Sequence, residues 1–194
     1  MVAQDFHKRA TYADLEAVPP NLVAEILFGR LVTHPRPAPR HSTAAFALSA
    51  ILGPHFQFGK PGKDGWVFMI EPELHLGGDV AVPDLAGWKR ERLSAPVTKA
   101  YIDVAPDWVC EFLSPSTEVY DRGDKRVIYA NAGVQHLWHV DPRPQVLEVS
   151  ENQNGKWLLT DVFKGEDDVR APPFAELEFS LGLLWPLGPM PSYD

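Results

Sequence analysis

One cysteine, Cys110, is the only thiol in this 194-residue chain, which excludes an internal disulfide and a cysteine-built zinc finger. No stretch approaches the ~18 uncharged apolar residues of a membrane-crossing helix. The opening residues, MVAQDFHKRATYADLEA, carry acids where a secretory leader needs an apolar core. Positive charge is scarce as well. Eighteen Lys and Arg stand against 26 Asp and Glu, for a formal charge of -8 and a pI near 5.3. That balance argues against non-specific coating of nucleic acid, which rests on neutralising phosphates. It still leaves room for a local basic track leading to an acidic pocket loaded with metal, because a bound cation inverts the local charge logic. P-loop, dinucleotide fingerprint, nucleophile elbow and zincin motifs are all missing. The expectation is a soluble, cytoplasmic protein, one domain over residues 1–194, with no membrane contact and no organic cofactor.

What the chain does contain is core material: 45% hydrophobic residues, including six Trp, ten Phe and five Tyr. Its nineteen prolines and fourteen glycines are scattered, so they punctuate turns rather than mark a linker. Thr11 and Asp14 have capping-box spacing for a short helix ending before Pro19. Leu22 to Val32 reads as a hairpin turning near Gly29. His41 to Phe58 carries Ala44, Ala45, Leu48, Ile51 and Leu52 at helical spacing. Strand patterns follow at Trp66–Ile70, Glu73–Leu76, Val80–Trp88 and Asp107–Leu113. A helix is expected from Glu118 to Ala132, capped by Thr117 and stopped by Gly133. His136–Val140 is the next strand, and Asn154-Gly155 marks a hairpin between QVLEVSE and KWLLTDVF. The AELEFSLGLLWPLG tail reads as a short strand and a turn of helix. The pattern predicts an α/β (α+β mixed) domain.

Two acids interrupt apolar strands, Asp84 and Glu111. Alternation puts Asp84 on the face of Val82 and Ala86, and Glu111 on that of Val109 and Leu113. Neighbouring strands with one carboxylate each would bring two anions together, which demands a proton or a cation between them. Mg²⁺ suits such a pair, being a hard ion held by one or two carboxylates plus water. The plainer alternative is that each acid reaches solvent at a strand end. Asp121, Lys125 and Tyr129, at i, i+4 and i+8, share one helix face. If that helix folds back over the sheet, Lys125 points at the carboxylates; otherwise Asp121 and Lys125 form an ordinary surface pair. Arg30, Arg36 and Arg40, in the acid-free stretch RLVTHPRPAPRH, lie either in a solvated proline-rich loop or in one that contacts phosphates. His136 and His139 sit on opposite strand faces, and His34, His55 and His75 have no partner at ligand spacing, so zinc is not indicated. Cys110 faces away from Glu111 and reads as a small buried hydrophobe.

VPDLAGW (Val82 to Trp88), CEFLSPST (Cys110 to Thr117), D-R-G-D-K-x3-Y (Asp121 to Tyr129) and G-V-x3-W-x2-D-P (Gly133 to Pro142) together resemble the Uma2 family (DUF820). These are restriction-endonuclease-like proteins of the PD-(D/E)xK nuclease superfamily. Glu25, Gly29 and His41 also fit the family's N-terminal pattern, and the resemblance spans residues 11–185. It implies a restriction-endonuclease-like core, a central mixed β-sheet flanked by helices with N- and C-terminal β-hairpins. It also implies an Mg²⁺- or Mn²⁺-dependent endonuclease that hydrolyses DNA phosphodiester bonds as a homodimer. Asp84 and Glu111 take the places of the motif acids and hold the metal, with the Phe112 main-chain carbonyl as third ligand. Leu113 stands where the motif lysine belongs, and the resemblance assigns that role to Lys125, migrated to the following helix. Glu25 and Tyr129 become auxiliary residues, and Arg30, Arg36 and Arg40 the DNA contacts. His136 occupies a position where relatives often carry Glu. Two other readings stay open: a catalytically silent homodimeric scaffold that keeps the fold, and a metal-dependent hydrolase of a non-DNA phosphate ester.

Overall fold

The first helix begins where its capping box says it should. The Asp14 N–H donates to the Thr11 hydroxyl and the Asp14 carboxylate accepts from the Thr11 N–H, opening α1 (Tyr12–Glu16). The computed structural model describes residues 9–59, 65–93 and 98–188. After α1 comes the hairpin β1 (Leu22–Leu27) and β2 (Arg30–Pro35), turned by Phe28 and Gly29 with φ of 52° and 75°. Two successive positive φ values match the right-handed twist of the flanking strands. Half of the basic stretch is therefore strand, and only residues 36–38 are left as a loop before α2 (Pro39–Leu52). That helix starts on Pro39, whose missing N–H costs nothing in the first turn. Its expected extension to Phe58 is instead a separate π turn, Gly53–Gln57.

Next come β3 (Trp66–Ile70), β4 (Leu74–Leu76), β5 (Asp79–Ala81) and β6 (Leu85–Lys89). The single strand expected over Val80–Trp88 is thus broken at Val82-Pro83-Asp84. Proline has no N–H to give a ladder, and the chain uses the break to pass from one sheet to another. β5 joins a four-stranded sheet ordered β2-β1-β5-β4; β6 joins a six-stranded sheet that also takes in β7 (Trp108–Phe112), β8 (His136–Asp141), β9 (Val146–Gln153) and β10 (Lys156–Lys164) in the order β10-β9-β8-β7-β6-β3. Asn154 and Gly155, with φ of 54° and 82°, make the β9–β10 turn. A two-stranded ribbon, β11 (Asp168–Val169) and β12 (Phe179–Ser180), precedes a closing 3-10 turn.

Every pairing in the large sheet is antiparallel except β7 with β8. A parallel pair needs a crossover connection, normally a helix packed back on the sheet. That crossover is α3 (Glu118–Tyr120), a π turn (Asp121–Lys125) and α4 (Arg126–Asn131), ended at Gly133 with φ 82°. The two sheet faces bury separate cores. On one, Trp108, Cys110, Phe112 and Trp138 meet Leu48 and Leu52 of α2 and Phe174 of the C-terminal segment. On the other, Ala86, Trp88, Val109 and Leu137 meet Ile128 and Tyr129 of α4 and Leu27 and Leu74 of the small sheet. Among the described residues no helix is long and apolar enough to cross a membrane.

Candidate functional site

β6 and β7 run antiparallel with Leu85 opposite Cys110, so one step back along the ladder sets Asp84 opposite Glu111. Glu111 leaves the sheet on the face covered by the crossover helix, while Asp84, just before β6, is held between the β7 main chain and α2. Asp84 Oδ2 accepts from the Phe112 N–H at 2.7 Å, its Oδ1 lies 2.8 Å from His41 Nε2, and its own N–H approaches Glu111 Oε2 at 3.4 Å. Within a strand a residue's N–H and C=O point to the same side. The Phe112 carbonyl is therefore directed to the Asp84 side as well.

The crossover helix brings the rest. Tyr129 donates its hydroxyl to Glu111 Oε1 at 2.6 Å. Lys125 Nζ lies 2.9 Å from the same oxygen, 3.1 Å from Asp121 Oδ1 and 3.4 Å from Glu25 Oε1, and donates to the Val82 carbonyl at 3.2 Å. Glu25 reaches in from β1, where its Oε1 accepts from the Val82 N–H at 2.7 Å. The π turn explains the alignment of Asp121, Lys125 and Tyr129. In a regular helix eight residues overshoot two turns by about 80°, whereas one extra residue in the turn leaves an offset of about 20°. Far from being a surface pair, Asp121 and Lys125 are each only 3% exposed, and Glu25 and Glu111 are 1% exposed.

Burial pushes the Glu111 carboxyl well above its ordinary range, and Asp121 and Asp84 add to this against the pull of Lys125. Burial also raises the Asp121 carboxyl. For Lys125, burial alone would lower the proton affinity, but Glu111 and Glu25 outweigh it and hold the ammonium charged. Glu25 shows the converse: burial opposes ionisation, yet Lys125, His34 and the Val82 N–H keep its carboxyl below the usual value. Glu25, Glu111 and Asp121 thus share one ammonium, and Asp84 stands beside them against His41. Such an excess of negative charge at close range favours a further cation. Among the described residues no group of three or more His, Cys, Asp or Glu side chains is placed to hold a metal ion. Two carboxylates and a main-chain carbonyl make the open, all-oxygen set that suits a hard divalent ion retaining water.

A cavity of about 230 Å³ opens onto these groups. Of the three arginines only Arg36 lines it, held 3.2 Å from Glu71 Oε2. Arg30 pairs with Asp124, and Arg40 donates to the carbonyls of Gly188 and Leu187 against the C-terminal segment, so neither reaches the pocket. Cys110 is buried on the opposite face of the sheet. Sequence reasoning missed two histidines as pocket residues, His41 and His34. His34 Nε2 sits 3.4 Å from Glu25 Oε2. The signal was available, because the Phe28-Gly29 turn sets Glu25 opposite Val32 and makes His34 its diagonal neighbour across the hairpin. His41 carried no comparable local signal, since its partner Asp84 lies 43 residues away.

The Uma2 family profile, described as "Putative restriction endonuclease", matches residues 9–184. No curated protein matches the chain. Among solved structures, a crystal structure described as "a putative nuclease belonging to DUF820" from Anabaena variabilis ATCC 29413 aligns with a TM-score of 0.71. It is 22% identical over 91% of this chain and 97% of that one, a likeness that shows a shared fold. The mixed sheet with its crossover helix is thus the fold of that protein, and the chain belongs to the Uma2 family.

Proposed function

We propose that the chain is a divalent-metal-dependent endonuclease acting on DNA phosphodiester bonds. One observation carries this reading: Asp84, the residue before β6, lies beside Glu111 of the adjacent strand β7, with Lys125 of the crossover helix 2.9 Å from Glu111. Asp84, Glu111 and the Phe112 carbonyl would hold Mg²⁺ or Mn²⁺. When bound, that ion acts as a Lewis acid toward a phosphate oxygen and lowers the pKa of a water. Lys125 takes the place of the motif lysine that Leu113 does not supply. Because its ammonium stays charged, Lys125 donates hydrogen bonds rather than accepting a proton; it orients the attacking water or meets negative charge as it builds on the phosphoryl group. Tyr129 fixes Glu111 Oε1, and Glu25 braces Lys125 from the far side. Arg36 stands at the mouth to meet the strand, while Arg30 and Arg40 would touch flanking backbone only. By analogy with the superfamily the product carries a 5′-phosphate, and a homodimer is the expected assembly, read directly by light scattering.

The test has two parts. Calorimetric titration with Mn²⁺ should saturate for the wild type and be lost in Asp84→Ala. Cutting of circular single-stranded DNA and supercoiled plasmid with Mn²⁺ should fall by about two orders of magnitude or more in Lys125→Ala. Equal traces of cutting in wild type and variant would contradict the reading.

A further inference from the structure

Three prolines stiffen the cavity lining: Pro35 and Pro37, where β2 runs toward α2, and Pro115, between β7 and α3. Each proline locks its φ near −65°. On the Pro115 side the Ser114 hydroxyl lies 3.0 Å from both Ser116 Oγ and Thr117 Oγ1, which braces the turn. Within this lining the chemistry is recessed: the Asp84 side chain keeps 17% of its surface, while Glu111 and Lys125 keep almost none. A phosphate therefore has to enter the cavity to meet them. At about 230 Å³ that space is smaller than most small-molecule pockets, which run from about 300 Å³ upward.

Intact duplex is poorly matched to such a cavity. It is a stiff rod with a persistence length of about 50 nm, and proteins grip its backbone through many Lys and Arg contacts. Among the described residues the cavity lining holds one lysine and one arginine, Lys125 and Arg36, both beside acids, and two histidines, His34 and His41. A single strand bends freely and can offer one phosphate at a time. We propose that the pocket takes single-stranded or frayed DNA, one flexible strand passing between Pro35–Pro37 and Pro115, and rejects closed duplex. This rests on the phosphodiesterase reading above.

The experiment uses the full chain with Mn²⁺ and three labelled oligonucleotides of one sequence: a single strand, a blunt duplex, and a duplex with a single-stranded flap. Anisotropy titrations over a KCl series give affinity and salt dependence, and the same mixtures are read for cleavage. Single strand and flap should bind at least about tenfold more tightly than blunt duplex, with a slope of log K against log salt of about −1 to −2, as for two or three phosphate contacts. Equal or tighter duplex binding, a slope of about −5 or steeper, or no saturable binding of any substrate would overturn the proposal. A single strand that binds but stays uncut sinks the hydrolase reading and leaves the strand preference standing, so the two failures are told apart.

Discussion

Lys125 is the residue on which the local electrostatics turn. Replacing it with Met leaves Glu25, Glu111 and Asp121 buried without their shared ammonium. Removing one partner of a buried ion pair costs about 3–5 kcal/mol. The loss should shrink as pH falls. Without the ammonium the folded-state carboxyls hold protons more tightly than unfolded ones, and stability then decreases with rising pH. Denaturant titrations of Lys125→Met between pH 5 and 8 check this, and a variant equally unstable across the range would contradict it. His139 behaves in the opposite sense. Burial, helped by Arg126 and Arg122, lowers its pKa from the ordinary 6.5 to about 4, and its Nε2 lies 3.3 Å from the Asp121 carbonyl. Between those pH values the unfolded chain binds the extra proton, so stability falls as pH drops from 6.5 toward 4, by up to about 3 kcal/mol. His139→Gln should flatten that part of the wild-type pH–stability curve.

At the scale of elements, the crossover helix is what converts a strand-borne acid pair into a site. It is pinned by a chain of ion pairs. Glu118 accepts from Arg122 at 3.1 Å and from Arg143 at 2.6 Å; Arg143 also holds Asp141, and Arg122 holds Glu148 in a forked pair at 2.7 and 3.2 Å. Glu118→Ala removes the shared member. These groups are about one-third exposed, so the stability loss should stay near 1 kcal/mol. Cutting should fall more than stability does, because Asp121 and Lys125 shift relative to Glu111. Unchanged cutting alongside the same small stability loss would show that the clasp does not position the site.

Much at this scale was legible beforehand. The Thr11 capping box, both tight hairpin turns and the stop at Gly133 are local chemistry, and local chemistry is written in neighbouring residues. Two features were not. The π turn at Asp121–Lys125 changes a hydrogen-bond pattern while barely disturbing which residues are apolar. The break at Pro83 separates strands belonging to different sheets, a distinction that depends on β1 offering an edge to β5. Of the pocket lining, Asp84, Glu111, Lys125 and Arg36 were read from the sequence and His34, His41 and Asp121 were not; Glu25 and Tyr129 sit behind it, against Lys125 and Glu111. A His–Asp contact made between a helix and a distant strand leaves no periodic trace, and a buried i, i+4 pair has the same spacing as an exposed one.

For the whole molecule, net charge and local charge tell different stories. A chain at -8 gathers Glu25, Glu111 and Asp121 around a single buried ammonium, with Asp84 and its partner His41 beside them. Folding alone does not recommend such an arrangement, since well-packed apolar groups would be at least as stable there. Binding a divalent ion does. An ion that binds the folded chain alone stabilises it by about 2.7 kcal/mol at a hundredfold excess over its Kd. Mn²⁺ should therefore raise the melting temperature of the wild type reversibly with chelator, and leave Asp84→Asn unmoved.

The most direct measurement is anomalous diffraction from crystals soaked in Mn²⁺. A peak within coordinating distance of the Asp84 and Glu111 carboxylates, on the side of the Phe112 carbonyl, is the expected result. A clean map showing no peak there, or a peak only at surface acids such as Asp103 or Glu178, would contradict the metal centre and the chemistry built on it.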